Sequence, residues 1–175
     1  MGNKSVLVLS GLLSGMVFIL SWILFHLFFW SDVEGADLGS GEALGYLSMI
    51  IALSTVYFGV RNYRDKQRGG VISFKEAFFN GMLIVLIGSA IYVISWMVYY
   101  TNYIPDFADV YMEKQIASIK EQGLSETDLQ LKIEEMEAFN ESYKNPVVMA
   151  GITFLEVFPV GLIIALLSAF LLKRS

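Results

Sequence analysis

"RNYRDKQRGGVISFKEA", residues 61–77, decides how this chain is read. It gathers five cations, Arg61, Arg64, Lys66, Arg68 and Lys75, into a short polar stretch with apolar sequence on both sides. A stretch of this kind between two membrane-crossing helices is a cytoplasmic loop, because lysine and arginine near a span are retained on the cytoplasmic side. Working outward, apolar blocks lie at about 43–63 and 77–103, and two more at about 5–30 and 147–172. Each is near or above the roughly 20 residues that carry a helix across about 30 Å of hydrocarbon. The first block is too long for a signal-peptide core and has no small-residue cleavage site, so it is expected to stay attached as a helix.

Composition agrees with that division. The 175 residues are 55% hydrophobic, with a mean hydropathy of +0.58, and the apolar residues come in blocks instead of stripes. The expected fold is all-α: one membrane domain over 1–175, an integral four-helix bundle with a helical hairpin outside the cytoplasm between the third and fourth spans. There is no cysteine, which excludes disulfides, thiolate metal sites and a cysteine nucleophile, and the single histidine, His26, excludes a clustered imidazole site. His26 reads as an interfacial imidazole. The formal charge of −5 argues against a nucleic-acid role.

Charge placement sets the expected topology. Lys4, the 61–76 segment, Lys173 and Arg174 put both termini and the basic loop in the cytoplasm, while residues 31–42, "SDVEGADLGSGE", hold no cation and face outward with 104–146. Trp30, Tyr99, Tyr100 and Tyr103 are expected in an outer aromatic belt, with Tyr57 and Tyr63 toward the inner one. The 106–144 stretch reads as two helices broken at Gly123. Asp106 caps the first, and Ser125 with Asp128 has capping-box spacing for the second. Met112, Ile116 and Ile119 form one apolar stripe and Leu129, Ile133, Met136 and Tyr143 the other, so the pair is expected to close on itself. Asn145 and Pro146 end it before the last span.

The last block carries an acid, Glu156, three residues before Pro159. Sixteen Leu, Ile, Val and Phe between 147 and 172 favour insertion by about 5 to 10 kcal/mol, against about 3 kcal/mol for one central carboxylate. The span therefore tolerates its acid. None of the twelve Lys and Arg lies inside the hydrocarbon part of a block. Glu156 falls about 13 Å below the outer end of its helix, counting 1.5 Å per residue. Ser21, Ser54, Thr55, Tyr92 and Ser95 fall near the same depth, and Pro159 leaves the Leu155 carbonyl without its helical donor. Two readings follow: a carboxyl that ties helices together or faces a small wet crevice, and a proton or cation site.

Other motifs point to packing. Gly11 and Gly15, beside Ser10 and Ser14, and Gly81 with Gly88 allow close helix approach, read here as contacts within the bundle. The acids Asp128, Glu134, Glu135, Glu137 and Glu141 lack calcium-loop spacing and read as a solvated helix face. The basic run follows from topology, with anionic-lipid contact a lesser role. No Walker loop, HExxH or GxSxG elbow is present, so neither an enzyme nor a metal or cofactor is expected.

The strings "GEALGYLSMIIALSTVYFGVRNYRDKQRGGVISFKEAFFNG", "YVISWMVYY", "KNP" and "FLEVFPVGLIIALLSAFLLKR" resemble the four-helix membrane family known as domain of unknown function 4199, from about Leu7 to Arg174. That resemblance implies a bacterial inner-membrane protein and brings no activity or ligand with it. The functional expectation is a non-enzymatic membrane component, bathed in membrane lipids, whose 106–144 hairpin binds a protein partner or a second copy. The alternative is a small proton- or cation-coupled transporter built on Glu156.

Overall fold

The structure, a computed structural model, describes residues 4–29, 38–121 and 124–174. Among these it is all-α: α1 (Ser5–Phe29), α2 (Leu38–Leu53), α3 (Thr55–Gln67), α4 (Phe74–Tyr103), α5 (Phe107–Glu121), α6 (Glu126–Tyr143) and α7 (Pro146–Leu172). Four helical segments are long and apolar enough to cross a membrane: Ser5–Leu27, Ala43–Gln67, Phe74–Tyr103 and Pro146–Leu172. Trp30, most of the acidic 31–42 stretch and the expected break at Gly123 lie outside the described residues.

The second span is not one regular helix. α2 and α3 meet at Ser54, where the Ser54 hydroxyl donates to the Ile51 carbonyl at 2.6 Å and the Thr55 hydroxyl to that of Ala52 at 2.9 Å. Ser54 keeps helical dihedrals (φ −58°, ψ −23°), and its amide still donates to the Ile50 carbonyl at 2.9 Å. The span also runs on to Gln67, so much of the expected 61–76 loop is helix. α4 starts at Phe74, earlier than the expected 77, because Ser73 accepts from the Glu76 amide at 3.2 Å in an S-x-x-E arrangement.

The chain divides into two compact units, Met1–Ser95 with Thr153–Ser175, and Trp96–Ile152. In the first, one buried cluster joins Leu7, Val56, Val60, Ile84, Val85 and Ala165. A second joins Phe18, Met49, Ala52, Leu53, Tyr92 and Val157. Glycines let the helices approach. A Cβ on Gly11 would lie 2.7 Å from that of Ile87, one on Gly59 2.5 Å from the Ser10 hydroxyl, and one on Gly88 2.8 Å from the Ser14 hydroxyl. The GxxxG of α1 thus packs inside its own unit, as its sequence suggested.

The quoted 61–77 stretch folds onto the end of α7. Helix α3 stops where Gly69 (φ +61°) and Gly70 (φ +87°) enter the left-handed region that glycine adopts without strain. The Arg68 and Gly70 amides both donate to the Arg64 carbonyl, at 3.2 and 3.0 Å. This turn carries Ile72 alongside Arg174, and their amides and carbonyls pair at 3.1 and 2.9 Å. Arg64, buried at 7% exposure, donates to the Leu172 carbonyl at 3.2 Å and to Asp65 at 2.7 Å. A guanidinium at the last turn of α7 satisfies a carbonyl that has no helical donor and complements the helix dipole.

Within the second unit, Trp96 donates its indole N–H to the Tyr143 hydroxyl at 2.8 Å and stacks edge-on against Phe107 at 5.6 Å. Tyr99 and Tyr100 are buried beside it, whereas Tyr103 is exposed. Tyr63, in the first unit, is also buried. The rings of these three tyrosines are packed inside their own units.

Candidate functional site

Glu156 lies on α7, three residues from the middle of that 27-residue helix. Its side chain is exposed on the outside of its unit, in line with Leu155, Pro159, Ile163 and Phe170. The i, i+4, i+7 spacing puts these residues on one face. The next residue, Val157, points the other way and is fully buried in the second cluster. Glu156 is therefore exposed on its unit, one residue from the buried Val157.

Four of the residues expected at its depth turn their hydroxyls to the backbone of their own helix. Ser21 donates to the Val17 carbonyl at 2.9 Å, Ser54 to Ile51, Thr55 to Ala52 and Ser95 to Tyr92 at 2.9 Å. Each hydroxyl thus bonds back to its own helix, the ordinary solution for Ser and Thr in a membrane helix. Tyr92 is buried, its ring 4.7 Å from Phe18 and 5.4 Å from Trp22. Pro159 is exposed on the ridge and lacks the N–H that would serve the Leu155 carbonyl. The rotation of α7 about its axis was not legible in the sequence.

The second candidate is the surface of α5 and α6. Asn140 is buried, and its amide donates to the Asp109 carboxylate at 2.7 Å. Met112, Ile116 and Ile119 of α5 are half-buried, as are Leu129, Ile133, Met136 and Tyr143 of α6. Ser125 caps α6, accepting from the Asp128 amide at 3.2 Å and donating to its carboxylate at 2.6 Å. Asn145 accepts from the Val147 amide at 2.9 Å, and Pro146 opens α7 at the position where proline is best tolerated. Leu131 and Phe139 are 54% and 55% exposed among the exposed acids Glu134, Glu135, Glu137 and Glu141. Glu141 hydrogen-bonds Lys144 at 3.1 Å and holds that ammonium above the usual lysine range. Among the described residues no three His, Asp or Glu side chains come together as a metal site would need.

An all-helical chain with four membrane-length apolar helical segments is a multi-pass membrane protein. It belongs to the family described as Protein of unknown function (DUF4199), which matches residues 10–174, nearly the whole chain. No curated protein and no solved structure matches it.

Proposed function

We propose that the protein is a non-enzymatic inner-membrane component whose α5–α6 pair closes as a helical hairpin outside the cytoplasm and binds a protein partner. The observation that carries this reading is the braced, acidic α6 surface. Its fold is held by the Asn140–Asp109 bond and the Ser125 cap, yet it leaves Leu131 and Phe139 in water. Two large apolar side chains framed by carboxylates suit a partner with an apolar patch and a basic rim.

Orientation rests on charge. Arg61, Arg64, Lys66, Arg68, Lys75, Lys173 and Arg174 stand against only Asp65 and Glu76 in the 61–76 segment and the tail. That end belongs on the cytoplasmic side, with both termini, and α5 and α6 belong on the other. The proton- or cation-carrier reading has less support, because the Ser54, Thr55 and Ser95 hydroxyls expected to line a path are bonded to their own helices.

Photo-crosslinkers at Leu131 and Phe139 in native membranes test the reading. A discrete adduct with one protein, absent when the crosslinker sits at the exposed Leu86 of α4, is the expected result. Adducts that do not depend on position, or none at all, would overturn it.

A further inference from the structure

We infer that the cationic end of the first unit is a docking site for the headgroup of an anionic phospholipid, gripped by Arg61 and Arg174. The i, i+3, i+4 spacing puts Arg61, Arg64 and Asp65 on one face of α3. The fold then brings the tail of α7 to that face: Arg64 holds the Leu172 carbonyl, and Arg174 is fixed to Ile72 by both its amide and its carbonyl. Two basic segments that the sequence keeps far apart therefore share one surface, where Arg61, Arg64 and Arg174 all act on the Asp65 carboxylate. One carboxylate cannot serve three guanidiniums. Arg64 takes it at 2.7 Å, whereas Arg61 stands at 3.7 Å with 54% of its side chain exposed. Glu76 is engaged by Arg68 at 3.0 Å. Seven cations in the 61–77 segment and the tail thus meet two carboxylates. Lys66, Lys75 and Arg174, all exposed, have no carboxylate within ion-pair distance among the described residues.

The positive excess selects an anion, and its surroundings select one that carries an apolar tail. Phe58, one turn before Arg61, is 61% exposed, and Phe170 and Leu171, just before the tail cations, are 62% and 68% exposed. Lys173 lays its ammonium over the Phe170 ring, 4.5 Å from the centroid, so charged and apolar surface are continuous. A phosphodiester offers the paired oxygens that guanidinium groups grip, and its acyl chains then run along the exposed side chains of α3 and α7. A free phosphate would leave that apolar surface unused. The inference needs only this end of the unit, whichever leaflet it faces, and stands apart from α5 and α6.

Native mass spectrometry tests this on the whole chain, stripped of lipid in mild micelles and titrated with dioleoylphosphatidylglycerol or dioleoylphosphatidylcholine. A saturable adduct with phosphatidylglycerol is expected at about tenfold lower lipid concentration than with phosphatidylcholine, the preference shrinking as salt is raised. Arg61→Gln combined with Arg174→Gln is expected to remove most of the preference, and Arg61→Lys with Arg174→Lys to keep part of it. Lys120→Gln with Lys132→Gln, which removes the same charge from the exposed faces of α5 and α6, should leave it intact. Glycerol phosphate at the same concentration should not displace the lipid. Equal binding of the two lipids by the parent protein, an equal loss in the α5–α6 variant, or displacement by glycerol phosphate would overturn the inference. The comparison of the two lipids on the parent protein decides the matter even if an arginine variant folds poorly.

Discussion

Adding one methyl group to Gly11 should weaken the protein, and adding the same group to Gly45 should not. At Gly11 the new Cβ would sit 2.7 Å from the Cβ of Ile87 and 2.8 Å from its Cγ2. Carbon atoms in contact rest at about 3.5–4.0 Å, so α1 and α4 must separate by about 1 Å. No rotamer change relieves this, because a Cβ is fixed by the backbone that bears it. Overpacking of that kind costs about 1–3 kcal/mol, and the gain in helix propensity from glycine to alanine returns at most about 1 kcal/mol. At Gly45 nothing lies within 4 Å, so only the propensity gain remains. Gly11→Ala is therefore expected to unfold at lower denaturant and Gly45→Ala at equal or higher, with a gap of about 2 kcal/mol. Titration of purified protein from mild micelles into dodecyl sulfate, followed by tryptophan fluorescence, measures it. Ile87→Ala keeps the offending Cβ and should not rescue Gly11→Ala, whereas Ile87→Gly should. Identical midpoints for Gly11→Ala and Gly45→Ala would refute the packing account.

Two further outcomes are expected. Arg64→Gln should cost about 1–3 kcal/mol, because the Leu172 carbonyl loses a charged donor, while Asp65→Asn should cost under about 1 kcal/mol, its carboxylate being half-exposed; unfolding midpoints compare the two. Cysteines placed at Lys66 and Leu131 should react with a membrane-impermeant maleimide from opposite sides of inverted and right-side-out vesicles, and labelling from the same side would reject the proposed orientation.

Much of the fold was legible in the sequence, and the reasons are physical. Four apolar blocks appear because hydrocarbon selects by length and composition alone, which any window can count. The Ser125 cap and the Asn145–Pro146 boundary were legible because caps depend on a few neighbouring residues. The early start of α4 was legible too, in Ser73 and Glu76, but an unbroken apolar run drew the boundary to Ala77. The division of the second span at Ser54 escaped because Ser and Thr inside a span can donate to their own backbone or across to another helix, and composition does not say which. Glu156 escaped for a related reason. A membrane helix that is apolar all round has almost no amphipathic stripe, so its buried and lipid-facing sides look alike from sequence. Only the packing of Val157 against neighbours such as Phe18 and Tyr92 fixes the rotation, and those come from two other helices.

The latch between Arg64 and Leu172 joins residues 108 positions apart, which imposes a schedule on biogenesis. When α3 has been delivered to the bilayer, the carbonyl its arginine will hold has not yet been synthesised. At roughly 5–20 residues per second, ribosome and insertase work on for roughly 5–20 seconds before α7 arrives. Throughout that interval the guanidinium must be sheltered by headgroups, water or the insertion machinery. A nascent chain stalled before α7 would therefore hold the Arg64 guanidinium without the carbonyl that receives it in the finished fold.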